Sequence, residues 1–357
     1  MINLIAPINS LGYGVVGLNI TKSLSRKAEV SLWPISQPQV STQEDAEAIQ
    51  ATMDNSRTPD WNAPCIRIWH QHDMSQFVGH GLKVGFPIFE LDTFSSLEKH
   101  HLGHLDKIFV CSEWAKQVVV DTMPHAPHDV HVIPLGVDSR VFPRSPIDND
   151  QNHGTIFFNC GKWEVRKGHD LISKAFNKAF EPEDDVQLHM MCDNPFCDEK
   201  ETYEWQSLYK NSKLGEKVKL IGRVESSHDV YNIMSKVDCG VFPSRSEGWN
   251  LEALELLSCG KHVIATDYSG HTEFCTKENA HLVTIDKKEK AFDGKWFDGK
   301  TGSWAHLGSN QIDQIVEHMR KIHKSKQEGS LKTNEAGIKT AQKLSWDSSA
   351  EKILSSV

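Results

Sequence analysis

The sequence predicts an α/β protein built from two doubly wound parallel sheets, and three observations carry that prediction. Short apolar runs alternate with helical patterns, as in strands covered by helices on both faces. The alternation comes in two series, divided by a polar, turn-rich stretch at residues 145–154. At 357 residues the chain is long enough for two separate cores.

The first series places strands at residues 3–7, 30–34, 66–70, 83–88, 107–111 and 130–134. The loop after the first strand reads Gly12-Tyr-Gly14-Val-Val-Gly17, a formal G-x-G-x-x-G fingerprint. A dinucleotide site also needs an acid about twenty residues on to hold a ribose hydroxyl. The second strand ends Leu32-Trp-Pro-Ile-Ser36 with no acid there, and residues 8–11 separate strand from glycines. A nicotinamide dehydrogenase is therefore disfavoured. Ser112 is suited to cap the helix that follows the fifth strand.

The second series places strands at residues 155–160, 186–192, 218–221, 239–242, 262–265 and 281–284, and residues 333–354 read as helical. After the fourth of these strands comes Pro243-Ser-Arg-Ser-Glu247-Gly-Trp-Asn250-Leu-Glu-Ala-Leu-Glu255. Pro-Ser ends the strand, Asn250 suits a helix N-cap and Gly260 its C-terminal stop. Glu247 and Glu255 thus bracket a helix N-terminus, where free N–H groups and the helix dipole favour an anion. A diphosphate satisfies those donors, and two nearby carboxylates accept from neighbouring hydroxyls. That combination suits a nucleotide-sugar.

Bulk properties narrow the class. A formal charge of −9 argues against a dominant nucleic-acid backbone partner. The eight cysteines are scattered, several inside apolar runs, and read as buried reduced thiols of a cytoplasmic protein. No signal peptide or membrane-length apolar run is evident. Asp148-Asn-Asp150 has the form of a metal-binding Asp-x-Asp, but its polar setting reads as a turn.

Glu247-x7-Glu255, with Pro-Ser before it and Cys-Gly-x-x-Val-Ile-Ala-Thr266 after it, resembles the signature of retaining GT-B glycosyltransferases of family four (glycosyl transferases group 1). The resemblance implies two Rossmann-like domains facing a cleft. Residues 1–145 form the acceptor-side domain and 151–335 the nucleotide-sugar donor domain, with a C-terminal helix at about 338–357 packing back on the first. It implies transfer of a hexosyl or pentosyl group from a nucleoside-diphosphate sugar with retention of configuration, and no metal or other cofactor.

Cys160-Gly-Lys162-Trp-Glu-Val-Arg166-Lys167-Gly resembles the family's Gly-Arg-x4-Lys-Gly, whose cations contact the donor diphosphate. Lys162 stands where arginine is usual, and Arg166 is expected to compensate. Gly12 and Gly14 would approach the donor phosphate and Arg223 the nucleobase. The N–H groups of Gly248, Trp249, Asn250 and Leu251 would hold the diphosphate, Glu255 the ribose hydroxyls and Glu247 the sugar hydroxyls. Trp-His70-Gln-His72-Asp73 is similar to the family's His-x-His-Asp segment, which puts His72 beside the transferred sugar with His70 and Asp73 in support. These histidines with His100, His101 or His104 are a weaker candidate for zinc. Glu90 and Asp92 are placed on the acceptor side. Glu247, His72 and Lys167 form the expected catalytic set.

The acceptor is expected to be a glycan, a lipid-linked sugar or a small molecule. Trp-His-Gln-His-Asp-Met and Gly-Lys-Trp-Glu-x-Arg-Lys-Gly also resemble bacteriophage-borne members, so a hydroxymethylated base in phage DNA, modified in the host cytoplasm, is the runner-up acceptor. Basic clusters at residues 287–290 and 320–326 would then meet phosphates. A protein that binds nucleotide-sugar without transferring it is the non-enzymatic alternative.

Overall fold

The computed structural model describes every residue except 125–128, 150–153 and 225. The chain divides into two units, Met1–Asp138 with Lys343–Val357, and Ser139–Gln342.

Unit 1 runs β1 (Ile2–Ala6), α1 (Gly12–Ser25), β2 (Val30–Pro34), α2 (Gln43–Asn55), β3 (Cys65–Arg67), β4 (Lys83–Gly85), α3 (Ser96–Leu102), β5 (Lys107–Val110), α4 (Glu113–Thr122) and β6 (Asp129–Val132). Its sheet is parallel, in the order β2-β1-β3-β4-β5-β6. Leu4, Ile66, Ile108 and Phe109 are fully buried in it, as parallel strands covered on both faces require. β3 and β4 are shorter than their apolar runs suggest. Pro87 has no N–H to extend the ladder, and the chain turns away after Arg67, so His70 lies in a loop beyond the strand.

Unit 2 runs β7 (Thr155–Gly161), α5 (His169–Ala179), β8 (Val186–Cys192), α6 (Glu199–Lys210), β9 (Val218–Ile221), α7 (Ser227–Met234), β10 (Cys239–Phe242), α8 (Leu251–Ser258), β11 (His262–Thr266), β12 (His281–Val283), β13 (Lys288–Phe292), β14 (Asp298–Ala305), α9 (Ser309–Gln327) and α10 (Glu335–Lys343). The parallel sheet is ordered β12-β11-β10-β7-β8-β9, and β13 and β14 form a separate antiparallel hairpin that the sequence pattern did not announce. Phe157, Phe176, Leu188, Val241 and Ile264 lie at the centre of the core.

Three sequence expectations change. The segment at 145–154 is not a free linker: the Ser145 N–H donates to the Cys259 carbonyl at 2.9 Å, Ile147 joins the unit 2 core, and Ser258 Oγ donates to the Phe142 carbonyl at 2.7 Å. Residues 139–149 therefore belong to unit 2, while Asp150 and residues 151–153 lie outside the described residues. The helical stretch at 333–354 is two helices. α10 stays with unit 2, and α11 (Trp346–Ser356) begins afresh where the Ser345 side chain accepts from the Ser348 N–H, which caps it. The basic run at 320–326 is partly spent internally, with Lys321 and Lys324 exposed. Arg320 donates to the Lys178 and Ala179 carbonyls, and Lys326 pairs with Asp238 at 2.7 Å, both side chains buried. Among the described residues no helix is long and apolar enough to cross a membrane.

α11 packs on α1, with Arg26–Asp347 at 2.6 Å and Lys27–Glu351 at 2.8 Å, and Ser349 Oγ donates to the Pro134 carbonyl at 2.6 Å. The approach is so close that a Cβ on Gly136 would collide with the backbone nitrogen of Trp346. Gly136→Ala is expected to lower unfolding stability by about 1–3 kcal/mol, the usual cost of overpacking, read as a lower urea midpoint.

Candidate functional site

Open parallel sheets bind ligands beyond the strand ends where the strand order reverses. In unit 2 that point lies between β7 and β10, and the two segments leaving these strands, 162–168 and 243–250, carry Lys162, Arg166, Lys167 and Glu247, all singled out in the sequence. Glycine fits them together. Gly168 has φ 75°, and a Cβ there would strike the Pro243 carbonyl. The Arg245 N–H donates to the Arg166 carbonyl at 2.6 Å, and its guanidinium grips Asp170 in a two-pronged pair at 2.8 and 2.9 Å.

Glu247 is the centre of the cluster. Its Oε1 accepts from Ser244 Oγ at 2.8 Å and Lys167 Nζ at 3.1 Å, and its Oε2 from Arg166 Nη1 at 2.8 Å. Burial opposes ionisation of this carboxyl, yet Lys167 and Arg166 overcome it and hold its pKa far below the usual carboxylate range. Burial likewise works against the Lys167 charge, and Glu247 and Glu252 outweigh it, so the ammonium is held above its ordinary value. Glu252, in the first turn of α8 and 3.6 Å from Lys167, was missed in the sequence. Its position just after an N-cap residue, where acids favour the helix dipole, was the available signal.

Arg166 is placed differently from the expectation. It is buried, donating to Glu164 at 2.6 Å, to Glu247, and to the Ser246 carbonyl at 2.8 Å. A guanidinium engaged in this way braces Glu247 rather than replacing an arginine at position 162. Lys162 is the more open cation, 2.9 Å from Glu164 and 5.6 Å above the Phe196 ring.

The N-terminus of α8 stands beside this cluster. Asn250 adopts φ 84°, a region that few residues other than glycine and asparagine tolerate, and its Oδ1 accepts from the Ala253 N–H at 3.2 Å. Its Nδ2 and the Trp249 Nε1 are buried without a partner among the described residues. Trp249 packs against Phe274, ring centres 4.9 Å apart. The Glu247 N–H donates to Ser269 Oγ at 2.8 Å. Ser269 itself has φ 69° and ψ −156°, a conformation otherwise reserved for glycine that costs about 1–3 kcal/mol. Gly270 follows, so close to Gly248 that a Cβ would meet its carbonyl oxygen. Glu255 is half-buried, and its carboxylate has no hydrogen-bond partner among the described residues. Burial, then the neighbouring Glu252 charge, raises its pKa.

His169 holds the cation-bearing loop from beneath. Its Nδ1 accepts from the Glu164 N–H at 3.1 Å and its Nε2 pairs with Asn159 Oδ1 at 2.8 Å, which fixes the neutral Nε2–H tautomer.

Unit 1 gathers a second group at its own reversal point, between β1 and β3. Gly12 opens α1 with free space around it, whereas a Cβ on Gly14 would strike Asn9. The tight dinucleotide turn is absent because both glycines lie within the helix. Between them Tyr13, which the sequence reading passed over, donates to the Ile88 carbonyl at 2.8 Å and lies 4.7 Å from His70. His70, half-buried, stacks on the exposed His72 at 5.2 Å. Asp73 is engaged by Arg67 at 2.9 Å, which also donates to the Asp73 carbonyl. Glu90 and Asp92 are half-buried in the loop beyond β4, and Glu90 adds to burial in raising the Tyr13 pKa. Arg223 is exposed after β9, two strands away from β7.

Burial, with help from the Lys167 charge, lowers the His169 pKa to about 3. The unfolded chain takes up this proton below about pH 6.5 and the folded one does not, so stability falls as pH drops from 6.5 toward 3. His169→Gln keeps a donor and an acceptor but cannot titrate. Its unfolding free energy is expected to depend less on pH across that window, by up to about 1.4 kcal/mol per pH unit, measured by urea titration.

Residues 154–294 match the family model described as glycosyl transferases group 1. A putative glycosyltransferase 45 of Sulfolobus islandicus filamentous virus (isolate Iceland/Hveragerdi) is 21% identical over 218 residues, covering 59% of this chain and 56% of that protein. A GDP-mannose-dependent α-(1-6)-phosphatidylinositol dimannoside mannosyltransferase of Mycobacterium tuberculosis is 24% identical over 153 residues, 41% of this chain and 38% of that one. The chain thus spans little more than half of the first relative and under half of the second. Among solved structures, Anabaena Alr3699/HepE in complex with UDP and glucose superposes with a TM-score of 0.70 at 15% identity, covering 99% of this chain and 98% of that one. Sucrose-phosphate synthase from Thermosynechococcus elongatus gives 0.69 at 15% identity, over 99% and 97%. The chain has the GT-B fold, and its second unit carries a segment matching the glycosyl transferases group 1 domain.

Proposed function

We propose that this chain is a retaining glycosyltransferase that moves a hexosyl or pentosyl group from a nucleoside-diphosphate sugar to a hydroxyl acceptor. The observation that carries this reading is the union, at the β7/β10 reversal point, of Lys167, an ionised Glu247 and the N-terminus of α8. In this reading Lys162, Lys167 and the N–H groups of Gly248, Trp249, Asn250 and Leu251 hold the diphosphate. Lys167 has three donors, of which Glu247 takes one at 3.1 Å while Glu252 stands 3.6 Å off as an ion-pair partner, so donor capacity remains for a phosphate oxygen. A carboxylate offers about four acceptor sites. Ser244, Lys167 and Arg166 take three on Glu247, which leaves Oε2 free for one sugar hydroxyl. Glu255 takes the ribose hydroxyls and Arg223 serves the base.

Bond cleavage leaves the electron pair on the β-phosphate oxygen, and the nearby cations stabilise that charge. The acceptor oxygen bonds to the anomeric carbon from the same face, and its proton passes to the departing phosphate. No protein nucleophile and no metal ion enters this scheme. His72, with His70 and the Arg67-braced Asp73, lies on the acceptor side, as do Glu90 and Asp92. We place the activity in the cytoplasm on an acceptor that is a glycan, a lipid-linked sugar or a small molecule. A DNA acceptor has less support, because Arg320 and Lys326 are engaged within unit 2.

Lys167→Ala is expected to retain the wild-type far-UV circular dichroism and to lose roughly 100- to 1,000-fold in kcat, as when one transition-state donor is removed. Release of nucleoside diphosphate from UDP- and GDP-sugars measures it. Near-normal turnover in this variant would refute the assignment of Lys167. Wild-type protein that binds these donors yet never cleaves them would instead be a nucleotide-sugar-binding protein.

A further inference from the structure

Unit 2 has a cavity of about 330 Å³ that the donor reading does not use. Its walls come from the 163–165 loop, from α6 with the loop before it, and from the tip of the β13–β14 hairpin. Lys295 ties two of these walls together, donating from the hairpin to Glu201 at 2.7 and 2.9 Å and to the Phe196 carbonyl at 2.6 Å. Asp293 Oδ1 accepts from the N–H groups of Lys295, Trp296 and Phe297 at 2.8, 2.8 and 2.9 Å, which fixes the hairpin tip. The cavity is therefore held open by specific bonds.

The lining is aromatic. Trp163 and Trp205 stack nearly parallel, 9° apart with ring centres at 5.9 Å, so Trp163 covers one face of Trp205. Trp296 stands 53% exposed with Phe196, itself 49% exposed, edge-on at 5.7 Å. Exposed aromatic groups gathered around a cavity mark a binding surface. The lining also holds unmet polar capacity. Trp163 is buried, and its Nε1–H has no acceptor among the described residues. Among the described residues Glu204 has only an exposed ion pair with Lys200, at 3.8 Å on its own helix.

Charge decides what fits. Lys295, the basic side chain in the lining, is spent on Glu201, so the walls offer a phosphate no unpaired cation among the described residues. Glu164 is paired with Arg166 and Lys162 and Glu201 with Lys295, while Asp293 spends one oxygen on three backbone N–H donors, so Glu204 is the lining acid best placed to accept from a ligand. Flat aromatic faces alternating with hydroxyl acceptors and one N–H donor suit a neutral polyhydroxylated chain. We propose that this cavity is a second carbohydrate site, separate from the Glu247 cluster, which holds a neutral oligosaccharide with its sugar faces on Trp296 and Trp205 and its hydroxyls on Glu204. The inference goes beyond donor binding and does not depend on turnover.

The test is calorimetric titration of the full chain with neutral hexasaccharides of α- and β-linked glucose and of α-linked mannose, without nucleotide. At least one is expected to bind, with roughly tenfold weaker affinity in Trp296→Ala, the effect of one lost aromatic contact. Glu204→Gln is expected to weaken the same sugar several-fold. Both side chains are exposed, so thermal melting should match the wild type. Failure of all the hexasaccharides to bind overturns the proposal, as does undiminished binding in both variants. Binding of tetramethylammonium in place of the sugars overturns it as well, since that marks a cation cage.

Discussion

The architecture of unit 2 around the β7/β10 reversal depends on one arrangement, an ionised carboxylate kept out of water. Glu247 lies in the interior only because Lys167, Arg166 and Ser244 meet it there. Burying a lone charge costs several kcal/mol, so none of the partners is dispensable to the others. Because Arg166 and Lys167 leave β7 while Ser244 and Glu247 leave β10, the network also sews together the two loops at the reversal of strand order. Positioning and electrostatics are the same bonds here. The Lys167 ammonium is already desolvated and already oriented by its partners, as a preorganised charge is.

Around that network the backbone accepts local strain. Ser269 and Asn250 are the described non-glycine residues with positive φ. One supplies the acceptor for the Glu247 N–H, and the other caps α8 directly after it. Such conformations persist where the surroundings over-determine them. Gly168 and Gly270 add close backbone approaches that no side chain would permit. The shape of the site thus owes as much to missing and twisted Cβ atoms as to charges.

Much of this was legible in the sequence. All twelve parallel strands stood out as apolar runs, because strands buried on both faces leave an unbroken hydrophobic signal. Glu247, Lys167 and Asn250 were legible because spacing places them at strand ends and a helix cap. What was not legible depends on three-dimensional pairing. Arg166 looked like a phosphate ligand, since nothing in its neighbours reveals that Glu164 and Glu247 enclose it. Tyr13 was masked by the glycines on either side. The β13–β14 hairpin is charged and exposed along much of its length, so it lacks the alternation that marks a half-buried strand. The division at Asp138 was missed because residues 139–149 are polar like a linker yet are fastened by backbone bonds that composition does not record.

The helix that closes unit 1 has a bearing on biosynthesis. α11 is separated from β6 by the whole of unit 2, which is continuous in the chain. As the polypeptide emerges from the ribosome, unit 2 can finish its core while unit 1 still exposes the α1 face and the Gly136 notch that α11 will fill. The N-terminal unit is therefore the last to be completed, its apolar α1 face open until the final helix is made.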